Sequence, residues 1–201
     1  MSISHASKLA VSLCRISILS LLLLGSVSPA MAQVPDQTGS LTEARMQARD
    51  ALNQGVAAFR SGQYEEAQHY FARAKELDPQ SVNARLYLAT TYASQFIPGA
   101  PSEENISKGK LATDEYKEVL QMDSRNLSAI DGLASMLYQR EGQPFSPEMF
   151  AESKSYYQKH VELRPNDPAP YYSIGVINWA LSYHANSKLR QEFNASVGDE
   201  G

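Results

Sequence analysis

Three times along the chain one short pattern returns: Ala67, Phe71 and Ala74, then Ala112, Tyr116 and Val119, then Ser153, Tyr157 and His160. Residues four and three apart share one face of a helix, so each set is a stripe that can receive a neighbouring helix. Each set lies inside a predicted helix: Tyr64 to Leu77, Ile106 to Met122 and Pro147 to Leu163. Each of these follows another predicted helix: Leu41 to Arg60, Val82 to Ser94 and Leu127 to Arg140. Ser40-Leu41-Thr42-Glu43 has the form of a capping box at the first start. Ser61-Gly62-Gln63 separates the first pair, and Asp78-Pro79 stops the second helix. A helix pair joined by such a turn is an αα-hairpin. No alternating strand pattern bounded by turns occurs, so the predicted class is all-α.

Within the first pair, Gly55, Gly62, Tyr64, Ala67, Phe71, Ala74 and Pro79 resemble the tetratricopeptide repeat in identity and spacing. The resemblance implies a solenoid of αα-hairpins wound into a right-handed superhelix. Gly55 and Ala67 would sit where the two helices approach closely, while Phe71 and Tyr64 fill the space between hairpins. Later units carry Leu88, Ala89 and Tyr92, then Leu133, Ala134 and Leu137, with Pro165 ending the third. The expected repeats are 48–81, 82–126, 127–167 and a partial fourth, 168–194, within a solenoid spanning 41–194. In the fourth, Tyr171, Ile174, Gly175 and Asn178 form the expected packing stripe of a helix from Ala169 to His184.

The pattern also departs from the family. Pro79 and Pro165 are 86 residues apart, against about 68 for two repeats of about 34. The excess falls in two enlarged turns, 95–106 and 141–147. Ala58 and Asn178 stand where an aromatic residue or Leu is usual. The fourth unit is unfinished: Ser187 to Phe193 offers a short helix and 195–201 a polar tail, which implies either a short folded-back cap or a fragment of a longer protein.

The start of the chain has a different character. Lys8 and Arg15 precede an apolar run from Ile16 to Val27, and Ala30 and Ala32 form an A-x-A pattern before Gln33. Residues 1–32 therefore read as a secretory signal peptide, cleaved between Ala32 and Gln33, with 33–40 as a flexible leader. The expected location is the periplasm or the outside of the cell, without stable membrane insertion after cleavage. The single cysteine, Cys14, lies within that signal, so no disulfide framework follows. Removing Lys8 and Arg15 moves the formal charge from −4 to −6. With no basic patch, nucleic acid is excluded as a partner.

Catalytic chemistry lacks its starting residues. His69, His160 and His184 have no ligand-like company, so neither a metal nor a cofactor is expected. Glu65-Glu66, Glu103-Glu104 and Asp114-Glu115 read as solvated surface, and three Asn-x-Ser triplets, one of them Asn105-Ile106-Ser107, carry no function by themselves. The family resemblance points to protein binding, with the first helix of each pair lining a concave groove. Carried over by repeat place, the groove would show Phe59, Asn83, Tyr87, Thr90, Tyr138, Tyr172, Val176, Trp179 and Tyr183. Leu52 and Val56 stand where chaperone-tail readers of the family clamp a carboxylate, so that specificity is not carried over. The expected function is a scaffold that binds another protein or peptide and is not an enzyme. An envelope assembly factor and the substrate-presenting N-terminal region of a longer enzyme are the alternatives.

Overall fold

The computed structural model describes residues 37–139 and 146–198. Among the described residues there are seven α-helices and no strand: α1 (Gln37–Arg60), α2 (Tyr64–Leu77), α3 (Val82–Gln95), α4 (Glu103–Met122), α5 (Leu127–Gln139), α6 (Pro147–Leu163) and α7 (Ala169–Gly198). The expected signal segment, residues 33–36 of the leader, residues 140–145 of the second enlarged turn and residues 199–201 lie outside them.

The helix starts follow local chemistry. Ser81, Ser102 and Ser146 accept hydrogen bonds from the backbone N–H groups of Ala84, Asn105 and Met149, capping α3, α4 and α6. Asn126 Oδ1 does the same for Ala129 in α5. Gly62, with φ of 74°, takes the left-handed conformation that closes the α1–α2 turn.

Three boundaries differ from expectation. Helix α1 begins at Gln37, so Ser40 lies inside it and does not cap it. The Ser102 cap, with Glu103 and Glu104 in the first turn, starts α4 at Glu103 and not at Ile106, so part of the enlarged turn is helix. No Gly or Pro interrupts the stretch after His184, and α7 runs unbroken to Gly198 where a break and a second short helix were expected.

Consecutive helices pack as three hairpins, α1–α2, α3–α4 and α5–α6, stacked through α2–α3, α4–α5 and α6–α7. The aromatic residue of each second helix sets the stacking. Phe71 stacks on Tyr87 at 5.2 Å between ring centroids. Tyr116 lies against Gly132, where a Cβ has no room. Tyr157 meets Ser173 at the cleft between α6 and α7. Tyr87, Gly132 and Ser173 occupy one place in three successive units, so the register is the same at each junction.

Polar contacts reinforce the stack. Glu115 of α4 pairs with Lys75 of α2 at 2.5 Å and Arg85 of α3 at 3.2 Å. Its side chain is only 12% exposed, so Glu115 is not the solvated surface residue expected from its sequence neighbourhood. His160 is buried, with Nδ1 2.6 Å from Asp131 of α5 and Nε2 3.4 Å from Asp167, whose other oxygen accepts from Ala169 N–H at the start of α7.

Candidate partner-binding groove

The first helices α1, α3, α5 and α7 carry the nine expected groove residues, and the structure places them in three situations. Phe59 packs edge-on against Tyr64 at 5.4 Å, and Tyr138 against Phe150 at 5.3 Å. These two rings close their own hairpins at one place in the repeat. Thr90 and Val176 are half-buried, Thr90 donating to Leu86 O and sharing a bond with the Tyr116 hydroxyl at 3.2 Å. Asn83, Tyr87, Tyr172, Trp179 and Tyr183 are exposed.

One cleft forms where α5, α6 and α7 meet. Tyr138, Tyr157, Tyr172, Ser173, Val176 and Ile177 line about 150 Å³ of mostly apolar space. It brings together Tyr138, Tyr172 and Val176 from the expected set and adds Tyr157, Ser173 and Ile177 from outside it. Their signal was present in the register, because Tyr157 and Ser173 repeat the Phe71–Tyr87 junction. Burial pushes the Tyr157 phenol above its usual range, opposed by the hydrogen bond with Ser173, so the ring presents a neutral hydroxyl at the cleft. The volume is below the roughly 300–1,000 Å³ of small-molecule pockets; it matches one apolar side chain.

The expected packing stripe of α7 is not the one that packs. Pro170, Ile177 and Ala180 are the buried residues, with Leu181 beside them against Phe150. Tyr171 is half exposed, a Cβ on Gly175 would meet nothing within 4 Å, and Asn178 is exposed, accepting from Lys154 Nζ at 2.8 Å. The stripe was assigned by analogy with Gly55, whose neighbour Phe71 comes from the second helix of the same unit. Among the described residues no second helix packs there on α7. Tyr172, Val176 and Tyr183 lie towards the cleft side, whereas Trp179 shares the place of Phe59 and Tyr138 and stacks on Tyr183 at 5.6 Å.

Nothing in this geometry resembles a metal centre: among the described residues no group of three or more His, Cys, Asp or Glu converges. No described helix is long and apolar enough to cross a membrane.

Comparison with known proteins agrees with the repeat register. Residues 48–81 match the family model of the tetratricopeptide repeat. The chain is 29% identical over 150 residues to a type IV pilus assembly protein, PilF, of Pseudomonas aeruginosa; the match covers 72% of this chain and only about half, 51%, of that protein. Among solved structures, the first tetratricopeptide domain of Spaghetti (RPAP3), bound to an HSP90 peptide, superposes with a TM-score of 0.57 at 17% identity, covering 69% of this chain and 95% of that one. The Yersinia enterocolitica secretion chaperone SycD, in complex with a peptide of the translocator YopD, gives 0.51 at 19% identity, covering 66% and 92%. With the hairpin register, the matched repeat and these neighbours in agreement, the chain has the all-α fold of a tetratricopeptide-repeat solenoid, and residues 48–81 are one such repeat.

Proposed function

We propose that the protein is a non-catalytic scaffold that binds a partner polypeptide along the first-helix groove and seats one apolar side chain in the cleft between Tyr138, Tyr157, Tyr172 and Val176. The cleft carries this reading: it is apolar, preformed and sized for a side chain, beside exposed aromatic rings suited to an extended peptide. Two relatives of the same fold are seen with peptides. Asn83, Tyr87 and Thr90 on α3 extend the surface away from the cleft, and Tyr183 extends it along α7.

A photo-crosslinking amino acid placed at Tyr172 or Tyr87 in the producing cell should give discrete protein adducts, and one at Gln158, on a second helix, should not. Val176→Glu should abolish the Tyr172 adduct by burying an unpaired charge. Equal labelling from both faces, or adducts indifferent to Val176→Glu, would sink the groove reading.

The likeness to a pilus assembly protein supports a second, compatible proposal, that the scaffold works in the cell envelope after export. Intact mass of the exported protein should then correspond to a chain starting at Gln33, and a product retaining Cys14 would contradict it.

A further inference from the structure

One place in the groove changes character along the chain. Leu86, Asp131 and Tyr172 stand just before Tyr87, Gly132 and Ser173, so they share one place in three successive units, and Leu52 holds it in the first. Only the third unit puts a carboxylate there. Asp131 is also the only Asp, Glu, Lys or Arg of α5, and α7 has none from Ala169 to Ser187. The two first helices that border the cleft therefore carry a single charge over this stretch, and it is negative. Its Oδ1 lies 2.6 Å from Nδ1 of the buried His160, its one ion-pair partner among the described residues, yet the Asp131 side chain stays 43% exposed. Among the described residues no hydrogen bond uses the second oxygen, Oδ2.

The charge sits beside the cleft. Burial is the main cause of the raised Tyr157 phenol and the Asp131 charge adds to it, which places the carboxylate near a ring that lines the cleft. Tyr138 and Tyr172 bring two more rings to the same space. A carboxylate beside tyrosine faces, with no competing cation on either groove helix, favours a positive group: the carboxylate by direct pairing and the rings through their quadrupoles.

We infer that the partner polypeptide presents a Lys or Arg side chain to Asp131, within two residues of the apolar side chain seated in the cleft. The inference rests on the groove reading above and names the partner's chemistry. The reach fits: Asp131 and Ser135 are one turn apart on α5, about 6 Å along the helix, a span that one or two residues of an extended chain cover. An apolar or acidic segment in the same place would cover the carboxylate without pairing it, so Asp131 also selects against such partners.

The test starts from the segment that an aromatic photo-crosslinker at Tyr172 captures in the producing cell, mapped by mass spectrometry. That segment is synthesised as found, and again with its Lys replaced by norleucine or its Arg by citrulline, which removes the charge and keeps most of the shape. Calorimetry against the parent protein should show the neutral peptide binding about five- to tenfold more weakly. That difference should shrink at about 0.5 M salt, a readout that needs no variant. Against Asp131→Asn, which keeps an acceptor for His160 and should keep the parent's helicity, the two peptides should bind alike within about twofold. A segment without Lys or Arg, no loss in either protein, or an equal loss in both overturns the inference while the groove reading stands. No Tyr172 adduct at all removes the groove reading, and this inference with it.

Discussion

The Phe71 ring sits so close to the bare backbone of Gly55 that a Cβ there would lie 2.5 Å from Cε1. Phe71 is fully buried and stacked on Tyr87 from the next unit, so it has no direction in which to yield. Gly55→Ala is therefore expected to destabilise the fold by about 1–3 kcal/mol through overpacking. Gly175→Ala, at the same place in the fourth unit but facing open space, should be neutral or stabilise by up to about 1 kcal/mol through helix propensity. Urea midpoints of the two variants measured side by side decide this; equal destabilisation would mean the two glycines have equivalent surroundings.

His160 ties α6 to α5 through Asp131, and its Nε2 lies 3.4 Å from Asp167 in the connection to α7. Replacing it with Ala deletes a buried hydrogen-bonded ring at the α5–α6–α7 junction, and a loss of about 1.5–3 kcal/mol is expected. Because α7 depends on that junction, amide exchange should quicken first across residues 169–181. Uniform quickening from α1 onward would instead place His160 in the global core.

Asn105 holds the first enlarged turn. Its side chain accepts from Ile97 N–H at 2.7 Å and donates to the carbonyls of Ile97 and Ala100 at 2.8 and 3.0 Å. Asn105→Ala leaves those backbone groups unpaired and should cost about 1–3 kcal/mol, whereas Ile97→Ala, at an exposed site, should stay within about 0.5 kcal/mol. Thermal denaturation of both variants gives the comparison. The same burial means the Asn105-Ile106-Ser107 triplet is closed to modification in the folded chain.

Burial raises the phenols of Tyr92, Tyr116, Tyr156 and Tyr157 above the ordinary tyrosine value of about 10. The folded state then holds those protons more tightly than the unfolded chain. Their contribution to stability is complete below pH 10 and declines as pH rises above it through the raised values. Alkaline titration should show the exposed tyrosines ionising first and the buried set ionising together with loss of helicity. Tyr116→Phe should shift that unfolding towards higher pH; an unchanged profile would remove Tyr116 from the cause.

Much of this was legible from spacing alone. Small and aromatic residues at helical intervals identified every second helix, and those aromatics do set the junctions at Tyr87, Gly132 and Ser173. Contacts between residues distant in sequence were not legible. Glu115 looks like half of a surface carboxylate pair until Lys75 and Arg85, forty and thirty residues away, converge on it. Asn105 reads as part of a loop until the chain folds back at Gly99 and brings Ile97 and Ala100 to its amide.

The sequence by itself determined the hairpin periodicity, because the residues that cap, turn and stripe a short helix act within a few positions of one another. Which side of α7 is buried was decided only by tertiary structure. Its residues carry apolar side chains on both faces, and intrinsic pattern cannot rank two such faces. The ranking comes from α5 and α6, whose Tyr138, Phe150 and Tyr157 cover Ile177 and Ala180 and leave Gly175 and Trp179 facing outward.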